Sequence, residues 1–145
     1  MITIEFWKQV AINDLRKFNN IENSITGMKE EIADINAALV GGAYSMSSTP
    51  VQGGGAKLED KYLQAIVRKN LLEEQLKINE KEFLRIKDTL ERMSADDRKL
   101  LGYAYINRTP NYIRLVMETF NVERSQAYRN IESALQEYCR IRYGV

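Results

Sequence analysis

Apolar positions along this chain fall at intervals of three and four almost throughout, the spacing that places side chains on one stripe of an α-helix. The best-defined run is Phe18, Ile21, Ile25, Met28, Ile32, Ile35 and Leu39, where three and four alternate strictly. A stripe that regular requires a partner helix along its length. Thr3 to Val40 contains no proline and a single interior glycine, Gly27, so one long helix is predicted there. Upstream of the stripe the phase slips, because Leu15 stands only three before Phe18. Ile4, Trp7 and Ala11 are therefore expected to face something else, with Trp7 packing on the C-terminal part of the chain or on another subunit.

A second stripe, Leu72, Leu76, Asn79, Phe83, Ile86, Leu90 and Met93, predicts a helix over Leu58 to Met93. Asn79 is the polar exception in it, a residue type that fixes register in such seams at some cost in stability. Before Leu72 the face broadens to Leu58, Tyr62, Leu63, Ile66 and Val67. Between the stripes, Gly41 to Lys57 holds five glycines, one proline and four Ser or Thr residues, a composition that reads as a long flexible connector. Its triple glycine lacks the lysine-serine/threonine pair of a phosphate-binding loop. Two helices of similar length joined this way fold back antiparallel, which brings Leu39 near Leu58 to Tyr62 and Phe18 near Phe83. Leu15, Leu71 and Ile78 lie off both stripes, so self-association over residual apolar surface is expected.

The last third changes rhythm. Ser94 followed by Ala95-Asp96-Asp97 is a helix start, and Leu100, Leu101, Ala104 and Tyr105 give a third helix, ending near Asn107, its buried face. Arg108-Thr109-Pro110-Asn111 is a turn. Ile113, Val116, Met117 and Phe120 then mark a short helix over Tyr112 to Phe120. Asn121 breaks it, being a residue that tolerates the left-handed backbone, and Val122 is expected to fill the angle to the next helix. That helix should begin at Glu123 to Ser125 and run to about Arg140, with Ala127, Ile131, Ala134, Leu135 and Tyr138 inward. Arg124, Ser125, Gln126, Tyr128, Arg129, Glu132 and Ser133 fall on the first turns and the opposite face. This is the layout of a helix-turn-helix, whose second helix can reach phosphates and base edges in a major groove. The same spacing also fits an ordinary helical hairpin with solvated outer residues. The expected fold is all-α: a long antiparallel coiled-coil hairpin over 1–93, then a three-helix helix-turn-helix domain over 94–145.

Charge sharpens the second half of that picture. The net charge is only +1, but from Arg98 to the C-terminus eight Arg or Lys stand against four Glu, leaving +4 there and −3 before it. Catalytic chemistry finds little to use. There is one cysteine, Cys139, and no histidine, so a disulfide framework and a zinc cluster are excluded, and a buried inert thiol is the expected state of Cys139. The carboxylates are interspersed with lysines at helical surface spacing. No enzymatic activity, cofactor or metal is expected. The first residues do not read as a basic segment followed by an apolar core, and no apolar run approaches membrane-spanning length, so the cytoplasm is the expected site of action.

Val122-Glu123-Arg124-Ser125-Gln126-Ala127-Tyr128-Arg129, followed by Ala134-Leu135, resembles the V-S-x-S-x-V-Y-R…A-L pattern of phage late transcriptional regulators of the RinA/ArpU type, which in turn look like the last domain of bacterial sigma factors. The small-residue connector with Thr49-Pro50-Val51-Gln52 is similar to the interhelical loop of short phage regulators. The resemblance covers the C-terminal third specifically and the hairpin loosely. It implies a promoter-binding activator of late genes that meets RNA polymerase, with Arg124, Ser125, Gln126, Tyr128 and Arg129 facing double-stranded DNA. Where the pattern has a serine to cap the recognition helix, this chain has Glu123, a poorer cap whose charge would lie near phosphate. Two other classes share the predicted architecture: a small terminase subunit, which couples a helix-turn-helix to helical oligomerisation, and a helical adaptor that binds no DNA.

Overall fold

A computed structural model describes residues 3–42 and 54–145. Every element among them is helical: α1 (Ile4–Val40), α2 (Gly54–Glu91), α3 (Ala95–Leu101), a π-helical turn (Gly102–Ile106), α4 (Tyr112–Phe120) and α5 (Arg124–Tyr143). The fold is all-α. Of the expected connector, 43–53 lies outside the described residues, while α2 starts at Gly54, earlier than the glycine content predicts. No helix among the described residues is long and apolar enough to cross a membrane.

The chain divides into two compact units, one formed by Asn23–Glu80 and the other by Met1–Glu22 with Lys81–Val145. Within the first, α1 and α2 run antiparallel: Asn79 Nδ2 donates to Ser24 Oγ at 3.0 Å, while Arg68, earlier in α2, pairs with Glu31, later in α1. Ile25, Met28, Ile32, Ile35 and Leu39 are half-buried along α1. Asn79 also accepts from Gln75 Nε2 at 2.9 Å, so both ends of its amide are engaged. The inward side of early α2 differs from the expected broad face. Ala65 is buried, whereas Leu63 and Val67 are more than half exposed. The three-four rhythm of the seam continues upstream of Leu72 through Lys69 and Ala65, and Leu58 lies one heptad before Ala65. Ala65 is too small to register as a stripe, and Lys69, half-buried, is charged.

The second unit holds the larger core. Phe18 and Phe83 stack with centroids 5.0 Å apart and planes 6° from parallel, as the heptad register predicts. Leu15, expected to be left over, is 0% exposed, and Ala11 and Ile86 are equally enclosed. Its off-stripe phase marks the place where α1 stops serving a two-helix seam and becomes part of a larger core. Trp7 packs on Tyr143 of α5, ring centroids 4.6 Å apart. Ser94 caps α3, its hydroxyl accepting from Asp97 N at 3.1 Å. The third helix does not continue to Asn107 as α-helix: after Leu101 it widens into the π-helical turn, closed by Asn107 N donating to Gly102 O at 2.8 Å.

Candidate functional site

Local backbone geometry sets the angle between α4 and α5. Asn121 ends α4 in the left-handed region at φ 52°, ψ 54°, and its N–H and that of Val122 both return to Met117 O, satisfying the helix end. Val122 is half-buried. Glu123 is extended, at φ −73°, ψ 162°, and makes no side-chain cap, as expected of glutamate at that position. Its carbonyl nevertheless accepts Ala127 N at 2.9 Å and so opens α5. Three residues thus turn the chain from one helix into the next.

α5 is divided sharply between two faces. Ala127, Ile131, Ala134, Leu135, Tyr138 and Cys139 are all buried, and α3 and α4 both pack on this helix. Arg124, Ser125, Gln126, Tyr128 and Arg129 are all exposed on its first two turns. The Arg124 guanidinium lies 5.9 Å from the centre of the Tyr128 ring, and Gln126 Nε2 donates to Asn130 Oδ1 at 2.7 Å. Arg114 and Arg140 are occupied by Glu118 and Glu137, but neither Arg124 nor Arg129 pairs with a carboxylate among the described residues. The five residues singled out by sequence therefore share one exposed surface with two unneutralised cations.

Glu132 does not belong with them. Its carboxylate pairs with Lys8 of α1, whose side chain is only 8% exposed and also reaches Glu5 at 3.0 Å. The bond to Glu132 holds the Lys8 ammonium above its ordinary pKa, against the opposing effect of burial. Glu132 is thus committed to holding α1 on α5. A second polar tie lies further along, where Tyr143 O–H donates to Asp14. Burial, reinforced by that bond, pushes the Tyr143 phenol well above its usual range. Burial also raises the Cys139 thiol, leaving little thiolate for nucleophilic chemistry. No periodic signal points to Lys8, Asp14 or Tyr143, since each is a polar residue placed where spacing alone predicts nothing.

On the other unit, Leu63, Val67, Leu71 and Ile78 form an exposed apolar stripe along α2, beside a hollow of about 770 Å³. Leu71 and Ile78 are two of the three positions expected to be left uncovered. Leu15, the third, is not.

The class defined by this fold is an all-α protein whose chain ends in two short-linked helices presenting a polar, partly cationic helix start. A family model described as a protein of unknown function (DUF1492) matches residues 41–138, more than half of the chain. The chain belongs to that family. No curated protein and no solved structure matches it.

Proposed function

We propose that this protein is a sequence-specific DNA-binding transcriptional regulator that reads double-stranded DNA through the first turns of α5. The observation that carries the reading is the division of that helix: every inward residue is buried, while Arg124, Ser125, Gln126, Tyr128 and Arg129 remain exposed. A helix start is also where backbone dipoles favour phosphate. Arg124, resting over Tyr128, suits a phosphate contact. Gln126 and Arg129 have the chemistry to read base edges, Gln pairing with adenine and Arg with guanine. The likeness to RinA/ArpU-type regulators extends this reading to activation of phage late genes through contact with RNA polymerase. The exposed stripe on α2 supports self-association, because more than half of each of its apolar side chains is in water.

The test is selection of genomic fragments from the source organism by the purified protein at near-physiological salt. Enrichment of one promoter-proximal site is the expected result. Enrichment at a packaging locus would favour a small terminase subunit instead, and no salt-dependent affinity for any duplex would favour a helical adaptor. On an enriched site, Arg129→Ala should cost about 1–3 kcal/mol and relax preference at one base pair, whereas Arg124→Ala should weaken all sequences alike.

A further inference from the structure

The polypeptide leaving the π-helical turn is bent sharply before α4 begins. Arg108 has φ 48° and Asn111 has φ 53°, two non-glycine residues in the left-handed region within four positions. For arginine that conformation costs on the order of 1 kcal/mol, so packing must hold it in place. A tie to α1 contributes, Asn19 Nδ2 donating to Ile106 O at 3.3 Å, and within the turn itself Thr109 N donates to Tyr103 O at 3.1 Å. Arg16 stands one helical turn before Asn19 on α1. The result is a hollow of about 440 Å³ lined by Arg16, Ala104, Arg108, Thr109, Asn111 and Tyr112.

That lining is chemically one-sided. It combines two guanidinium groups, a threonine hydroxyl, an asparagine amide and a tyrosine, with no carboxylate. Among the described residues neither Arg16 nor Arg108 is ion-paired. Both are exposed, as are Arg124 and Arg129 on α5. Arg16 and Arg108 come from distant parts of the sequence and line the same hollow, so an anion seated there would be attracted by both. Planar guanidinium groups with hydroxyl and amide donors beside them match the oxygens of a phosphodiester.

We propose that the Arg16–Arg108 hollow binds a backbone phosphate of double-stranded DNA, so that α1 contributes directly to DNA affinity. This rests on the DNA-binding reading above and adds to it a contact outside α5. The hollow neutralises phosphate and reads no base, so it acts alike on every sequence.

The test uses the full-length protein, the variants Arg16→Gln and Arg108→Gln, and the double variant, with affinity for a selected site and a random duplex measured across a salt series. Both side chains are exposed, so thermal melts should be unchanged and confirm the fold. The double variant should flatten the slope of log affinity against log salt by about 0.9, the contribution of one phosphate, and weaken both duplexes by the same factor. Because both arginines serve one phosphate, the single variants should not sum to the double. A wild-type protein with normal salt dependence and a double variant of identical slope would overturn the hollow while leaving the α5 reading intact. A wild-type protein with no salt-dependent affinity would overturn both. Inorganic phosphate titrated into DNA-free protein is the last arm: stabilisation of wild type and not of the double variant, with unchanged DNA slopes, would assign the hollow to a small free anion and also overturn the proposal.

Discussion

Replacing either member of the Lys8–Glu132 pair removes the same ion pair, yet the two substitutions should cost different amounts. Lys8 has a side chain 8% exposed, Glu132 one that is 49% exposed, and Glu5, the other carboxylate at Lys8, is 76% exposed. Glu132→Gln leaves an enclosed ammonium with one well-solvated partner, which should destabilise the protein by about 1–3 kcal/mol. Lys8→Met keeps an unbranched apolar stem in place and leaves behind a carboxylate that water can reach, so its cost should stay below about 1 kcal/mol. Urea unfolding followed by circular dichroism gives both values from the midpoints if the slopes are unchanged. The pH dependence has a definite sign. The Lys8 pKa is raised above its ordinary 10.5 in the folded state, so its contribution is fully present below that pH and is lost as pH rises through the folded value. The gap between wild type and Glu132→Gln should therefore be constant through neutral pH and narrow above about 10.5. Lys8→Met costing as much as Glu132→Gln, or a gap indifferent to pH, would refute the argument that an enclosed cation makes the pair asymmetric.

Leu135→Ala, at a position 1% exposed on the inward face of α5, should cost about 2–4 kcal/mol in urea unfolding as a cavity opens. Asn121→Gly should be neutral or mildly stabilising because glycine occupies φ 52° without strain, whereas Asn121→Val should lose about 1–2 kcal/mol; thermal melts separate the two. Paired Leu71→Ser and Ile78→Ser substitutions should shift sedimentation towards monomer without loss of helical signal, and an unchanged mass would remove the α2 stripe from self-association.

Periodicity made the helices legible wherever a side chain was large and the face single. The Phe18–Phe83 stack, the left-handed Asn121 and the buried face of α5 follow directly from spacing and from one residue's backbone tolerance. Periodicity failed where inward residues were small or charged, as at Ala65 and Lys69, so the outward Leu63 and Val67 looked like core. It also failed where one helix face changed partners, as at Leu15. The exposed residues on α5 could be named from sequence because they oppose a clear apolar stripe. Glu132 lay on the same nominal face and was included with them, since no pattern within α5 shows that Lys8, on a helix more than a hundred positions earlier, would take its carboxylate. Arg16 and Arg108 were invisible for the same reason: their juxtaposition depends on a π-helical turn and two left-handed residues that spacing rules do not encode.

This dependence on distant residues bears on where the C-terminal unit can be cut. A fragment of residues 94–145 would contain α3, α4 and α5 whole and would carry every residue proposed to contact DNA on α5. It would lack Ala11, Leu15, Ile21, Ile86, Leu90 and Met93, all buried in the same compact unit as those helices. It would also lose the partners of Glu132 and Tyr143, and Trp7 would no longer cover the Tyr143 ring. A three-helix segment of that size is marginal even with a complete core, because small domains bury a low fraction of their surface. The fragment should therefore show weak helical signal and no cooperative melt, whereas the full chain should melt cooperatively. If the fragment instead unfolded cooperatively near the temperature of the full chain, the ends of α1 and α2 would be coverings rather than core, and the buried positions of Leu15 and Ile86 would have little energetic weight. The opposite result would make the start of α1 as integral to the fold of this unit as α4, and Leu15→Ala should then lower the cooperative melt of the full chain as much as a substitution in the α5 core.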